Sequence, residues 1–471
     1  MDKFPNEFLF GVTTSSFQIE GAWNEDGKGE NIWDRLTHTR SDLIRDGTNA
    51  DISCDYYHKF KEDIKIIKEL RLSAYKFSIS WSRILPNGNI NYINEAGIIY
   101  YNEVIDEILK NNIIPMVTLY HYDLPQKLQD IGGWCNPLLV DYFADYAKLM
   151  FKLFGDKVKW WTTFNEPSEM IFGYNECRYA PYLSLECFDA DYIIAHNVVK
   201  AHAKAYRIYD REFRSKQQGK VSIILCGFNF KPKTDSQEDK DAEIRARQFT
   251  LGWFAHPIYS EQGDYPYVMR ELIDTKSKNE GKMKSKLPQF TTEEIDEIKG
   301  SFDYFALNHY SSAVVSNNKM NCKTEHTYRD ADVFVEFGDW PPTAAHWCKF
   351  APWGIKEQIC WIKNEYNNPP IYVTENGCGD LGDINDVKRI QFLKSYLEEV
   401  LKAINEHKCN VIGYNIWTLL DAFEWCNGFR HKYGIVSVDF NSCNRERKLK
   451  LSASFVKSLC ETRSIPKEKY E

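Results

Sequence analysis

The sequence predicts a (β/α)8 barrel, and three observations point there. Short runs rich in β-branched and aromatic residues recur eight times; stretches with apolar residues at i, i+3 and i+4 lie between them; and no Pro/Gly/Ser-rich linker divides the 471 residues. The strand-like runs are 8–13, 74–84, 113–120, 160–164, 220–228, 302–308, 370–374 and 411–419. The clearest helical stretches are 57–70, 98–109, 139–154, 190–213, 353–366 and 387–406. Near-continuous apolar strands followed by amphipathic helices read as a parallel sheet covered on its faces. Eight such units without a sequence repeat favour a closed barrel over an open sheet, with a two-domain α/β protein as the competing arrangement. The units need only about 250 residues, so the excess is expected in long loops. The polar stretches 231–243 and 310–340 are read as such irregular loops, and one barrel domain is expected over residues 1–471.

Composition removes several functions. Hydrophobic residues are 43% and charged residues 27%, as in ordinary globular chains, while aromatics reach 15% with 13 Trp, 28 Tyr and 28 Phe. Flat aromatic faces suit sugar rings and apolar ligands, although a large core uses them too. A net charge of −8 argues against nucleic acid as a partner. No run of about 18 apolar residues occurs, so no membrane helix is expected. The 13 cysteines are scattered without a C-x-x-C pair, no basic-then-apolar leader is visible, and no N-x-[ST] sequon occurs. These features point to a cytoplasmic protein, or a secreted one if a leader was removed.

Barrel enzymes build their active sites at the C-terminal ends of the strands. In this chain those ends carry Gln18 and Glu20 after the first strand, His121-Tyr122-Asp123 after the third, and Asn165-Glu166-Pro167 after the fourth. Asn308-His309-Tyr310 follows the sixth, Glu375-Asn376-Gly377 the seventh, and Trp417 leads to Asp421-Ala422-Phe423-Glu424-Trp425 after the eighth. Taken singly, each has a plain structural reading: Glu166 as a helix cap, Glu375 as turn chemistry, His121 as a satisfied buried histidine, the tryptophans as core. Their coincidence at one mouth favours a site. No metal-ligand constellation, G-x-S-x-G or G-x-x-x-x-G-K-[ST] occurs, so neither metal nor cofactor is expected. Two carboxyls among amides and aromatics are what glycoside cleavage needs: one protonates the leaving oxygen, the other attacks or stabilises the anomeric carbon. Like charges push such a pair's pKa values apart, leaving one carboxyl protonated and one ionised.

These segments carry a resemblance. Phe10-Gly11 with Gln18-Ile19-Glu20-Gly21, Phe77-Ser78-Ile79-Ser80-Trp81-Ser82-Arg83, His121 with Asp123-Leu124-Pro125, Thr163-Phe164-Asn165-Glu166-Pro167, Thr374-Glu375-Asn376-Gly377 and Phe423-Glu424-Trp425 stand in order and in register. From residue 8 to about 440 the sequence resembles glycoside hydrolase family 1, the β-glucosidases. A closer similarity is to insect cytosolic β-glucosidases and insect thioglucosidases (myrosinases). The resemblance implies a small-molecule β-glycoside as partner, with a homodimer allowed. It implies a retaining reaction with Glu375 as nucleophile and Glu166 as acid/base, their carboxyls roughly 5–5.5 Å apart. Gln18, His121, Asn165, Glu424 and Trp425 match glycone-binding positions, and Trp417 matches the stacking platform. Asn308 and Tyr310 flank the nucleophile, and Trp347 matches an aglycone platform. Glu424 implies a plain β-D-glucoside, galactoside or fucoside rather than a 6-phosphorylated sugar.

Four positions depart from the family pattern. Lys76 stands for an Arg that bridges the nucleophile, Tyr122 for a Trp beside the sugar, Ala422 for an Asn, and Tyr433 for a Phe at the sugar's outer edge. Two rival functions follow from the same barrel. A thioglucosidase would need a cation for the glucosinolate sulfate, for which Arg178 and Lys319 are candidates; Glu166 excludes the plant variant, which has Gln there. A klotho-like inactive binding module typically lacks one glutamate, whereas both are present here.

Overall fold

A computed structural model of the chain describes residues 3–175, 179–183, 189–317, 328 and 330–467. Eight strands form the barrel: β1 Leu9–Thr13, β2 Ala74–Ser78, β3 Ile114–Tyr120, β4 Trp160–Asn165, β5 Lys220–Cys226, β6 Phe305–Asn308, β7 Ile371–Asn376 and β8 Val411–Trp417. Each pairs in parallel with its chain neighbour, and β1 pairs with both β2 and β8, which closes the ring. A helix follows each strand: α1 Tyr56–Glu69, α2 Glu95–Lys110, α3 Leu139–Phe154, α4 Ala190–Ile208, α5 Leu251–Tyr259, α6 Trp353–Glu365, α7 Val387–Asn405 and α8 Leu451–Thr462.

The strand period of two sorts the side chains. Outward residues such as Val117, Trp161, Val221 and Val373 join the large apolar layer beneath the helices. Inward residues Ala74, Met116, Ile224, Ala306 and Tyr372 fill the bottom of the barrel. One step further along the same inward face come Lys76, Thr118, Thr162 and Asn308, so the interior turns polar toward the mouth. Thr118 and Thr162 share a hydrogen bond at 2.8 Å there.

The alternation breaks where the two glutamates leave the sheet. The register of β4 against β5 shifts between Thr162 and Asn165, and that of β7 against β6 shifts between Val373 and Glu375. Thr163 and Phe164 thus both face outward, toward His202 and Phe143, and Asn165 turns in. Such irregularities re-aim side chains beside active sites. Gly377 shows why its motif ends in glycine: a Cβ there would lie 1.9 Å from the Trp417 carbonyl.

Three expectations are corrected. The second strand ends at Ser78 rather than residue 84, because the chain turns into a short helix, Trp81–Ile84, that seats Arg83 against Glu20 at 3.1 Å. The fifth strand ends at Cys226, and Asn229–Pro232 belongs to a separate sheet with Ser312–Asn317 and Val333–Glu336. The described residues of the stretches 231–243 and 310–340 therefore carry ordered structure, including the helix Gln237–Phe249, capped by Ser236 accepting from the Asp239 amide. Their strands span only four to six residues with half-exposed polar faces, too short for periodicity to register. No helix among the described residues is long and apolar enough to cross a membrane.

Candidate active site

A cavity of about 410 Å³ opens at the C-terminal mouth of the barrel. Of the residues expected at the site, His121, Glu166, Asn308, Tyr310, Trp347, Glu375, Trp417, Glu424, Trp425 and Tyr433 line it. Gln18, Lys76 and Asn165 lie directly behind, each hydrogen-bonded to a site residue. Gln18 Nε2 donates to Glu424 Oε2 at 3.2 Å and to the Phe423 carbonyl at 2.8 Å, while Ser15 Oγ donates to Gln18 Oε1.

The two carboxyls sit in different surroundings. Glu375, the last residue but one of β7, is 2% exposed and is gripped from both sides: Lys76 Nζ lies 2.5 Å from Oε1, and Tyr310 Oη donates to Oε2 at 2.7 Å. Lys76 also donates to Asn165 Oδ1 at 3.0 Å. The lysine thus does reach the glutamate, through a single ammonium rather than a planar fork. Glu166 has neutral partners, the Asn308 amide on Oε1 at 2.7 Å and the Tyr122 hydroxyl on Oε2. Burial first, then the neighbouring Glu375, pushes its carboxyl up to about 7, against those hydrogen bonds and the more distant Lys76. Burial, with Glu375 second, likewise pushes Glu424 up to about 8.

The side expected to hold the glycone is polar and flat. Asn165 Nδ2 donates to His121 Nε2 at 3.2 Å, so Nδ1 carries the imidazole hydrogen and has no protein partner. Burial, with Lys76 nearby, holds His121 well below its usual range and therefore neutral. The indoles of Trp417 and Trp425 lie within 27° of parallel to the His121 ring, at 6.0 and 5.9 Å. Other members of the shared motifs are braces: Glu20 accepts from Tyr101 and Arg83, and Ser16 Oγ donates to Asp123 at 2.9 Å.

Two parts of the cavity were not legible as site residues. Tyr122 registers in the sequence only as a replaced tryptophan, yet its hydroxyl contacts Glu166. The cavity is also lined by Phe228, Phe249, Trp253, Phe334 and Phe337, with Phe228 edge-on to Trp347 at 6.4 Å. These come from loops and from the elements beyond β5 and β6, where local pattern reads only as core. Arg178 and Lys319 lie outside the described residues. Among the described residues, no His/Cys/Asp/Glu cluster is arranged to hold a metal ion.

The family model for glycosyl hydrolase family 1 matches residues 1–465. The chain belongs to glycosyl hydrolase family 1. It is 49% identical over 464 residues to myrosinase 1 of Brevicoryne brassicae, covering 98% of this chain and 99% of that one. It is 39% identical over 448 residues to the cytosolic β-glucosidase of Cavia porcellus, covering 94% and 95%. Among solved structures, a mutant rice β-glucosidase in a covalent complex with Glc superposes with a TM-score of 0.91 at 36% identity, covering 97% and 98%. The chain is a β-glycosidase of this family, and a small-molecule glycoside is its substrate.

Proposed function

We propose that the protein is a retaining β-glucosidase acting on O-glucosides with uncharged, apolar aglycones. The observation that carries the chemistry is the asymmetry of the two carboxyls. Glu375, paired with Lys76 and hydrogen-bonded by Tyr310, is the anion that attacks the anomeric carbon. Glu166, desolvated and held by neutral donors, keeps its proton near neutral pH and delivers it to the glycosidic oxygen. Having given up that proton, Glu166 takes one from the water that releases the sugar, restoring both residues. The vacant His121 Nδ1–H and the Gln18–Glu424 pair read the glycone hydroxyls over Trp417. A mostly protonated Glu424 both donates and accepts, as a sugar diol requires, and no lysine or arginine among the described lining residues offers a place for a 6-phosphate.

The working pH follows from the same asymmetry. Because Glu166 acts as an acid and its pKa is raised to about 7, kcat/KM is expected to hold below that value and fall as pH rises through it. A pH–rate profile with an aryl glucoside whose glycosylation is rate-limiting checks this; a flat profile to pH 9 contradicts it.

A thioglucosidase is the second reading, favoured by the similarity to the aphid myrosinase. Against it, the described lining holds four glutamates and aromatic rings but no cation to receive a sulfate. With p-nitrophenyl β-D-glucoside and the glucosinolate sinigrin, we expect kcat/KM for the neutral glucoside to be higher by about 100-fold or more, the scale at which an unpaired buried anion is rejected. Preference for sinigrin overturns the aglycone assignment. Sugar binding without hydrolysis of either compound makes the chain a binding module.

A further inference from the structure

Tyr122 and Glu166 form a pair in which both backbones are unusual. Their φ values are +70° and +45°, a left-handed conformation that non-glycine residues keep only where surroundings over-determine it. The Tyr122 ring packs against Trp425 at 5.1 Å and His121 at 4.9 Å. Its oxygen accepts from Asn165 Nδ2 at 3.3 Å, which leaves its own hydrogen for Glu166 Oε2. Burial and the nearby Glu166 and Glu169 keep the phenol well above its ordinary pKa, so it remains a donor throughout the working range.

We propose that Tyr122 is a positioning residue for the acid/base: its hydroxyl and the Asn308 amide each hold one oxygen of Glu166, fixing the carboxyl's orientation and favouring its ionised form. The proposal rests on Glu166 being the acid/base. The ionisable groups around that carboxyl are Glu375, Glu424 and Glu169, the Cys226 thiol, Tyr310 and Lys76. Only Lys76 among these carries a positive charge, and it already serves Glu375. The anion that Glu166 must become after delivering its proton therefore depends on its two neutral donors. A tryptophan at this position, as the family pattern has it, supplies no hydroxyl for the task.

The test is the pH dependence of Tyr122→Phe, which removes one oxygen, and of Tyr122→Trp, which restores the family residue. Loss of a hydrogen bond to a carboxylate raises its pKa. The alkaline limb of kcat/KM should therefore move up by about one pH unit. For an activated aryl glucoside limited by release of the glycosyl-enzyme, Glu166 must be ionised, so the acidic limb of kcat should move up as well. A merely structural role lowers rates without moving both limbs in the same direction. Limbs that stay in place or move down in both variants overturn the proposal. Glu166→Gln serves as the control, because the alkaline limb should vanish in it. If the limb persists there, Glu166 is not the acid, and the acid/base assignment falls together with this inference.

Discussion

Glu375→Ala is expected to abolish turnover, by about four orders of magnitude or more, as removal of a covalent nucleophile does in other hydrolases. The variant leaves the Lys76 ammonium and the Tyr310 hydroxyl aimed at an empty space beneath the anomeric carbon. A small anion fits that space and charge, so azide should restore release of an activated leaving group. Attack then comes from the face the carboxylate occupied, opposite the aglycone, and the product should be the α-glucosyl azide. Because the alanine also breaks a buried ion pair, Glu375→Gln is the companion: it keeps the volume and two hydrogen-bonding atoms but cannot attack. Wild-type activity in either variant refutes the nucleophile assignment, and a β-configured azide product shows that the vacated face is not the one Glu375 serves.

How far the site could be read beforehand depended on whether a residue's role was local. Barrel strands declared themselves because both faces are buried and their apolar runs are nearly unbroken, and the ends of most lay within one or two residues of the expected positions. Glu166 and Glu375 stood out because they ended such runs beside amides. The bulges that aim them were invisible, since a shift of register depends on the neighbouring strand and leaves no mark on the strand's own pattern. The small sheet of Asn229–Pro232, Ser312–Asn317 and Val333–Glu336 escaped for a related reason: its pairing joins segments about 80 and 20 residues apart, and none is long enough to show alternation. Trp253 and Phe249 carried no signal of their own, because whether a buried aromatic faces a helix or a cavity is decided only by what packs opposite. Lys76 was read as standing in for an Arg that bridges the nucleophile, and whether it reaches Glu375 is set by three-dimensional placement. Its Nζ lies within 2.5 Å of the carboxylate because β2 carries it on the same inward face as Ala74, one layer higher.

Glu166→Gln is expected to separate substrates by their leaving groups. Hydrolysis of an alkyl glucoside, whose alkoxide cannot depart without a proton, should fall by about 10²–10⁴-fold, the usual contribution of a positioned general acid. A dinitrophenyl glucoside departs unaided, so its first step should be nearly spared. The second step is not, because the amide cannot take a proton from water, and the glycosyl-enzyme should accumulate as a burst of released phenol. The amide keeps the carboxyl's volume, its oxygen accepting from Asn308 in the place of Oε1 and its nitrogen donating to the Tyr122 hydroxyl oxygen in the place of Oε2, so the cavity's shape is kept and the loss is chemical. Adding azide to Glu166→Ala bypasses the missing base from the aglycone side and should yield the β-glucosyl azide, the opposite anomer to that expected from Glu375→Ala. The two products together place one carboxyl on each face of the sugar. Equal losses for the alkyl and dinitrophenyl substrates, or the same azide anomer from both variants, are incompatible with that arrangement.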